Sequence, residues 1–385
     1  MRILFSSMPY LGHFYPLVPL ARSLAERHEV QVASARSFGP EIKRANLRPV
    51  SAGIDGADAL HLLAAQCPDE PIEALERRRR VLSTDVAVPR MAEDLLRLSR
   101  ESRPDLFIHE EGELAAPIVS RVTGIPCVTV GWAAPPMSLD RARRLRAALV
   151  PLRGAQVEGR CPFSEIFGNL LLDTCPPSLS TSVDGVSIPR WSMRPSCYAG
   201  GGHVPEWLRA LGTTVRCRPL VYVTFGTVRA FNRLPGETSN VLDAIEREPV
   251  DLIVTVGRNN DPALLGRRAP NVRIEQYIPQ ARLLPYVDAV VTHGGAGTTM
   301  AALSHGLPLM ILPRGADSQC RLAAACEAAG AAIVPKSNDP EEIGRGFHAL
   351  MRSDRHRRAA RQIAHEVTAL PGSSGVAEKL ESMAT

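Results

Sequence analysis

Short apolar runs alternate with longer amphipathic stretches along most of the chain. In the first half, runs typical of buried strands lie at 2–7, 29–34, 105–109 and 126–130. Stretches with helical spacing separate them, at 16–27, 90–102 and 112–123. Strands that are continuously apolar are buried on both faces, as in a parallel sheet covered by helices. The pattern therefore predicts a helix-covered parallel sheet in the first half.

The same alternation starts again in the second half of the chain. Its apolar runs lie at 219–226, 251–256, 272–275, 288–292 and 308–312. Pro205, Gly212 and Pro219 punctuate the junction between the halves. With 385 residues, of which 45% are hydrophobic, each half can bury its own core. The chain is therefore predicted to form two doubly wound α/β domains.

The expected domain organisation follows from this punctuation. An N-terminal domain at 1–204 and a C-terminal domain at 219–370 are joined by a linker at 205–218. The tail at 371–385 could pack back on the N-terminal domain. Residues from 133 to 200 are irregular and rich in Pro, Arg and Ser, which indicates either substrate loops or a solvated excursion.

A glycine-rich turn joins the strand at 288–292 to the next helix. The sequence from His293 to Thr299 is HGGAGTT, and the helix is expected to begin near Ala296. Glycines allow tight backbone angles and close approach of a ligand. The first N–H groups of the helix and the positive end of its dipole attract an anion. We therefore expect a phosphate-bearing ligand above this turn.

Two interpretations of this turn differ in the role of His293. A dinucleotide fingerprint would use Gly295 and Gly297, with Asp317 binding a ribose. Its third glycine position holds Met300, however, which close packing of helix on strand disfavours. A histidine that opens the turn instead fits a hydrogen-bond donor to a phosphate oxygen or a sugar hydroxyl. A structural role, in which His293 only holds the loop, stays open.

Two further turns lie at the carboxyl ends of predicted strands, where open α/β sheets bind ligands. The turn from Thr224 to Thr227 is either a plain turn or a second phosphate-facing loop. His13 follows the first strand of the chain and precedes a predicted helix. A histidine there is a candidate general base, and a capping or core histidine is the alternative. Glu110 or Glu111, on the same edge, could orient it or be a solvated loop charge.

Composition and charge exclude several classes of protein. The net charge is only +5, and the basic run Arg77 to Arg80 has Glu73 and Glu76 beside it, as on a solvated helix face. No nucleic-acid partner is therefore expected. The eight cysteines form neither a C-x-x-C pair nor a zinc-like cluster, so we expect reduced thiols and no metal. The N-terminus fits a strand better than a signal peptide, and no apolar run reaches membrane-spanning length, so we expect a cytoplasmic protein without membrane insertion.

Seven motifs follow one another along the chain. They are GHFYP at 12–16, PDLFIHE at 104–110, PLVYVTFGTV at 219–228, VTVGRNNDPALLG at 254–266, PNVRIEQYIPQ at 270–280, THGGAGTTMAALSHGLP at 292–308 and PRGAD at 313–317. In this order they make nearly the whole chain resemble the nucleotide-sugar-dependent glycosyltransferases of GT-B fold. The resemblance is greatest to actinobacterial enzymes that decorate polyketides and related natural products. It implies an α/β protein with two Rossmann-like domains facing a cleft, the first binding the acceptor and the second the donor.

The resemblance also implies roles for individual residues. His13 would deprotonate the acceptor hydroxyl, with Glu110 as its partner. Tyr277 would stack on the nucleobase, Ile278 would bind it through the main chain, and Asp317 with the next polar residue would hold sugar hydroxyls. The donor-binding candidates are Thr224, Gly226, Thr227, Gly257, Tyr277, Ile278, Gln280, His293, Gly295, Ala296, Gly297, Thr298, Asp317, Ser318 and Gln319. The acceptor-binding candidates, near the edge of the first sheet, are Phe14, Trp132 and Met137.

Two positions depart from the pattern of the family. Glu110 stands where the family usually has an aspartate, which is one methylene shorter. The expected Asp-Gln pair reads Asp317-Ser318-Gln319, and Arg321 stands where an asparagine is expected nearby. If Ser318 is an insertion, Gln319 takes the role of the family glutamine; if it is a substitution, sugar recognition has changed. Fewer groups that bind hydroxyls would suit a deoxysugar donor.

These features predict an inverting glycosyltransferase that moves a deoxyhexose, from a TDP-linked donor, to an apolar natural-product aglycone in antibiotic biosynthesis. In-line displacement at the anomeric carbon needs a base on one face and stabilisation of the departing diphosphate on the other. No cofactor or metal is expected beside the donor substrate. Two alternatives stay open: a nucleotide-sugar epimerase or other dinucleotide enzyme, and a catalytically silent GT-B-like partner that activates another transferase. The oligomeric state is also open, with a homodimer as one option.

Overall fold

The computed structural model describes residues 1–55, 58, 86–131, 167–180, 188–195, 198, 200, 205–211, 216–227, 236–258, 260–314 and 317–383. The chain divides into two units, each with its own sheet and hydrophobic core. The first unit comprises Met1–Thr174, Ser182–Met193 and Pro371–Thr385. The second comprises Cys175–Thr181 and Arg194–Leu370.

Seven parallel strands form the sheet of the first unit, counted over its described residues, in the order β3-β2-β1-β4-β5-β6-β7. The strands are β1 Arg2–Ser6, β2 Glu29–Ser34, β3 Arg48–Ser51, β4 Leu106–Glu110, β5 Cys127–Gly131, β6 Leu170–Asp173 and β7 Arg190–Ser192. The α-helices described in this unit are Leu11–Phe14, Val18–Ala25, Gly39–Arg44, Val88–Ser102, Ala116–Thr123 and Ser373–Met383. Because parallel strands need crossover connections, these helices cover the sheet.

The core of the first unit lies between its sheet and the helices. Leu4 and Phe107, on the neighbouring central strands β1 and β4, are at most 2% exposed. Met91, Leu95 and Leu98 of the helix Val88–Ser102 belong to the same cluster, and their spacing of three and four residues puts them on one helix face. Side chains pack against both faces of these central strands, and this packing holds in place the edge at which β1 and β4 end.

Six parallel strands form the sheet of the second unit, again over the described residues, in the order β10-β9-β8-β11-β12-β13. They are β8 Leu220–Thr224, β9 Asp251–Thr255, β10 Val272–Glu275, β11 Ala289–Thr292, β12 Leu309–Ile311 and β13 Ala332–Ile333. Its described α-helices are Glu206–Ala210, Gly236–Ile245, Gln280–Leu283, Ala296–Ser304, Asp317–Ala328, Pro340–Arg352 and Asp354–Ala369. Val223, Val254 and Val291 lie at the centre of its core with at most 1% exposure.

The prediction of two doubly wound α/β domains is confirmed, and each apolar run assigned as a strand contains one. Strands β3, β6, β7 and β13 were not predicted from the sequence. The prediction of irregular structure from 133 to 200 was wrong for β6 and β7, which add to the sheet beyond β5. β6 is four buried residues, and so short a run has no periodicity of its own to separate it from a loop.

The bounds of the two units depend on contacts between segments that are distant in sequence. The Ser178 backbone N–H donates to Glu366 at 2.9 Å, and Cys175–Thr181 belongs to the second unit. The helix Ser373–Met383 belongs to the first unit, where it packs on the helix Val18–Ala25. Across that contact, His28 Nε2 lies 2.9 Å from Glu381 Oε1. None of the helices in the described ranges is both long and apolar enough to cross a membrane.

Candidate active site

Both sheets reverse their strand order at a central pair of strands. The reversal falls between β1 and β4 in the first unit and between β8 and β11 in the second. Ligands of open α/β sheets bind outside the carboxyl ends of the strands at such a switch point. The sequence-predicted residues occupy both positions: His13 and Glu110 follow or end β1 and β4, while Gly226 and His293 follow β8 and β11.

A histidine–carboxylate pair lies at the switch point of the first unit. His13 Nδ1 is 3.1 Å from Glu110 Oε1, and the Glu110 side chain is fully buried while that of His13 is 27% exposed. The Met8 backbone N–H donates to Glu110 Oε1 at 3.1 Å, and the Gly112 N–H donates to Oε2. Burial alone would raise the pKa of Glu110, but His13 and the two N–H donors outweigh burial and hold that pKa below its ordinary value. Glu110 is therefore an anion at neutral pH.

The Glu110 anion determines which nitrogen of His13 is basic. A carboxylate accepts hydrogen bonds, so the proton of neutral His13 lies on Nδ1 and the lone pair on Nε2. Gly112 lies so close that a Cβ there would be 2.7 Å from His13 Cε1, and only glycine leaves room for the ring. The pair thus presents an oriented base from the first unit.

A buried polar network lies behind this pair. Burial lowers the pKa of His109 to about 4, so its ring is neutral. His109 Nδ1 is 2.7 Å from the Glu113 carbonyl oxygen and 3.0 Å from that of Glu110. Since carbonyl oxygens only accept, Nδ1 carries the proton and Nε2 accepts from the Thr129 hydroxyl at 2.7 Å. His109 therefore fixes the turn that follows Glu110.

Glu113, which was not predicted from the sequence as a site residue, is the unusual carboxyl group of this network. Burial raises its pKa to about 7, although the Ser6 hydroxyl and the Ala115 and Ala116 N–H groups donate to it. The signal in the sequence was a third acidic residue in the HEEGE run. Nothing in that run showed that the last glutamate turns inward to the start of the helix Ala116–Thr123.

We expect Glu113 to make stability depend on pH. The pKa of Glu113 in the folded protein is about 7, above the ordinary 4.5. Its contribution to the free energy of unfolding is therefore full below about pH 4.5 and is lost as pH rises to about 7. In wild type the free energy of unfolding should fall by about 3 kcal/mol over that window, and replacing Glu113 with glutamine should abolish this fall. Urea unfolding of wild type and Glu113→Gln at pH 5 and pH 8 measures the difference. Glu341→Gln, at an 83% exposed carboxylate, is the control, and parallel pH profiles for wild type and Glu113→Gln would contradict the assignment.

His293 occupies the corresponding position in the second unit. It is 7% exposed and lies between two glycine backbones. A Cβ at Gly226 would be 2.8 Å from His293 Cε1, and one at Gly295 would be 2.7 Å from the same atom. Gly226 also has a φ of +81°, which favours glycine. These two glycines therefore serve the packing of the imidazole as well as the turn itself.

The imidazole of His293 is neutral at neutral pH. Burial, and then the charge of Arg314, lower its pKa to about 4. A neutral imidazole still carries one N–H donor and can hydrogen-bond an oxygen of a ligand without adding charge. Positive charge at this edge must therefore come from other groups.

The helix Ala296–Ser304 starts directly after the turn and supplies part of that charge. Gly295 is its N-cap residue, so the first N–H groups and the positive end of the dipole lie at the carboxyl end of β11. The Thr298 hydroxyl donates to Gln280 Oε1 at 3.0 Å, which ties two candidate residues together. The helix begins at Ala296, as the sequence predicted.

Other candidates lie along the same edge. Thr224 Oγ1 accepts from the Thr255 hydroxyl at 3.0 Å, and Thr227 is partly buried after β8. Gly257 follows β9 with a φ of +86°.

The nucleobase candidates Tyr277 and Ile278 lie just after β10. Ile278 is only 2% exposed, and the Arg258 guanidinium lies 4.2 Å above the Tyr277 ring. The structure thus brings the predicted donor residues to one edge of one sheet.

The last donor candidates lie at the start of the helix Asp317–Ala328. Ser318 is exposed, while Gln319 is 4% exposed and its Oε1 accepts the Arg314 backbone N–H at 2.7 Å. That oxygen therefore holds the loop after β12. The side chain of Asp317 lies outside the described part of the chain.

Of the three acceptor candidates, the structure describes only Phe14. Phe14 is fully buried and packs edge-on against Phe38 with 5.6 Å between ring centroids, so its position lends no support to the acceptor assignment, which stays a prediction. The helix Leu11–Phe14 is the reason, because its geometry exposes His13 and turns the next side chain into the core. Trp132 and Met137 lie outside the described residues. Among the described residues, no group of three or more His, Cys, Asp or Glu could hold a metal ion.

Comparison with known proteins adds the family. The family of the erythromycin biosynthesis protein CIII-like proteins matches twice, with its N-terminal domain at residues 24–226 and its C-terminal domain at 239–383. The chain belongs to this family. Relatives that match nearly the whole chain are glycosyltransferases, and this chain is therefore a glycosyltransferase rather than an epimerase, another dinucleotide enzyme or a silent partner.

Individual relatives agree with this assignment over nearly their whole length. The L-demethylnoviosyl transferase of Streptomyces niveus is 32% identical over 396 residues, covering 99% of this chain and 97% of that protein. The elloramycin glycosyltransferase ElmGT of Streptomyces olivaceus is 29% identical over 390 residues, with the same coverage. Among solved structures, the glycosyltransferase VinC in complex with DTDP is similar at a TM-score of 0.76 and 26% identity, covering 100% of this chain and 99% of that one. The predicted GT-B fold is confirmed.

Proposed function

We propose that this glycosyltransferase moves a deoxyhexose from a thymidine diphosphate donor to a hydroxyl of an apolar aglycone, in the cytoplasm, during antibiotic biosynthesis. Support comes from names of relatives that specify a sugar and an acceptor. They include the 10-deoxymethynolide desosaminyltransferase of Streptomyces venezuelae, at 27% identity, and the aclacinomycin-T 2-deoxy-L-fucose transferase of Streptomyces galilaeus, at 26%. VinC was solved with DTDP, which supports thymidine diphosphate as the carrier.

The observation that carries the proposal is the contact between His13 and Glu110. Glu110 holds the Nδ1 proton at 3.1 Å, so His13 Nε2 takes the proton of the acceptor hydroxyl. The acceptor oxygen then forms a bond to the anomeric carbon as the bond between that carbon and the phosphate oxygen breaks. The electron pair leaves on the diphosphate, and attack opposite the leaving group inverts the anomeric configuration. A histidine with an orienting carboxylate is the usual arrangement for activating a hydroxyl.

The second unit stabilises the departing diphosphate in this proposal. The N-terminus of the helix Ala296–Ser304 provides backbone donors, and the neutral His293 adds an N–H donor. Groups of this kind, fixed before the reaction, stabilise charge that develops on a leaving group. We therefore propose that transfer proceeds without a metal ion.

Thermal melting tests the donor assignment. We expect thymidine diphosphate to raise the melting temperature in EDTA, because a ligand at 100 times its dissociation constant stabilises the folded state by about 2.7 kcal/mol. Uridine diphosphate serves as the comparison for the nucleobase, and NAD as the comparison for a dinucleotide. Stabilisation by NAD but by neither diphosphate in EDTA would refute the proposed donor.

A further inference from the structure

Arg314 places a buried guanidinium at the donor edge of the second unit. It follows β12, next to β11 in the sheet, and its side chain is only 8% exposed. Its guanidinium lies 3.7 Å above the ring of Phe225, the residue before Gly226. Arg314 also acts electrostatically on His293. The sequence motif PRGAD contains this arginine, but the sequence assigned it no role.

The guanidinium has fewer polar contacts than its burial requires. Among the described residues its polar contact is with Glu237, whose Oε2 lies 2.8 Å from Nη1, and Nη1 makes no aligned hydrogen bond there. Glu237 is 56% exposed, on the first turn of the helix Gly236–Ile245. A guanidinium offers five donors in a planar fork that matches two phosphate oxygens. The Arg314 guanidinium is therefore held in one orientation, and the exposed Glu237 neutralises its charge only in part.

The strand order shows which part of the donor Arg314 would meet. From the position after β10, where Tyr277 lies, the edge runs past β9, β8 and β11 to β12. Four strand spacings of about 4.8 Å make this distance about 19 Å. The Arg314 backbone thus lies at the end of the edge opposite the nucleobase candidate, and its side chain extends from that end to place the guanidinium over Phe225, after β8. A phosphate that the guanidinium contacts from that end of the edge is the one remote from the nucleoside.

We propose that Arg314 binds the sugar-bearing phosphate of the nucleotide-sugar donor and exchanges its contact with Glu237 for that phosphate. This inference rests on the proposed function, because it assumes a nucleoside diphosphate in the second unit. Stacking on Phe225 holds the fork in place, so little side-chain freedom is lost on binding. The permanent charge of Arg314 complements the neutral His293 at the same edge. Arg314 is a binding and specificity-determining residue for the second phosphate.

Calorimetric titration with thymidine, its monophosphate and its diphosphate tests this role. The measured quantity is the ratio of the dissociation constants of monophosphate and diphosphate. We expect Arg314→Gln to lower that ratio by about 10- to 100-fold while thymidine binds unchanged, because a charge-assisted contact to the second phosphate is lost. Arg216→Gln is the matched control, since Arg216 Nη1 is paired with Asp288 at 3.1 Å beside the amino ends of β8 and β11. It should leave the ratio unchanged.

Glu237→Gln tests the exchange without disturbing a buried group. Removing an exposed competitor of the phosphate should tighten diphosphate binding about two- to fivefold and leave thymidine binding unchanged. If this variant binds the diphosphate no more tightly than wild type does, or if Arg314→Gln folds and keeps the wild-type ratio, the role of Arg314 is refuted. A wild-type protein that binds neither thymidine nor uridine diphosphate would instead overturn the proposed function, and this inference with it.

Discussion

Replacing His13 with alanine should lower transfer to a hydroxyl acceptor by about 10²- to 10⁴-fold, the usual contribution of a positioned general base. The physical reason is that Glu110, fully buried and 3.1 Å from Nδ1, leaves Nε2 as the basic nitrogen. Nucleotide binding should stay near wild type, because the donor candidates belong to the second unit. The measurement is kcat/KM with a hydroxyl aglycone, alongside calorimetric titration of the diphosphate.

Three variants control this experiment. His28→Ala removes a histidine that is also paired with a glutamate, at 2.9 Å, but that precedes β2 at the amino end of the sheet, and it should keep wild-type turnover. Glu110→Gln should give a smaller loss than His13→Ala if the carboxylate only orients the ring. Glu111→Gln is the control at the neighbouring glutamate. If His13→Ala retains most of its turnover on a hydroxyl acceptor, a different base acts or the acceptor needs none.

Replacing His293 with alanine should weaken donor binding or transition-state stabilisation by about 1–3 kcal/mol, or roughly 5- to 150-fold. The alanine variant loses an N–H donor that Gly226 and Gly295 hold in one orientation. Because burial and Arg314 lower the pKa of His293 to about 4, the ring of the free protein is neutral above about pH 5. The loss should therefore be the same at pH 6 and pH 8. Diphosphate titration and kcat/KM at both pH values measure it.

The matched control for His293 lies at the other end of the same helix. His305 is the C-cap residue of Ala296–Ser304 and is exposed, so His305→Ala changes a histidine on the same element away from the donor edge. We expect it to leave diphosphate binding unchanged. Equal affinity and turnover for wild type and His293→Ala would show that His293 only holds the loop.

The sequence by itself determined the central strands and the positions of the catalytic candidates. Continuous apolar runs at β1, β4, β8 and β11 are long enough to be recognised, because a strand buried on both faces carries few polar residues. The turns that follow them contain the chemistry. Parallel strands place their carboxyl ends at one edge, so His13 and Glu110 could be paired from their positions alone. The edge, rather than the distance in sequence, brings them together.

Tertiary structure alone decided which side chains are buried and which distant groups meet. Phe14 lies beside His13 in the sequence, yet one points into the core and the other is partly exposed, because they occupy different faces of a short helix. The low pKa of His293 depends on burial and on Arg314, which comes from another strand end. The stacking of Arg314 on Phe225 joins segments that no local pattern relates. Burial and charge at a site are sums over neighbours from several elements, so hydrophobic periodicity, which reports one element at a time, could not predict them.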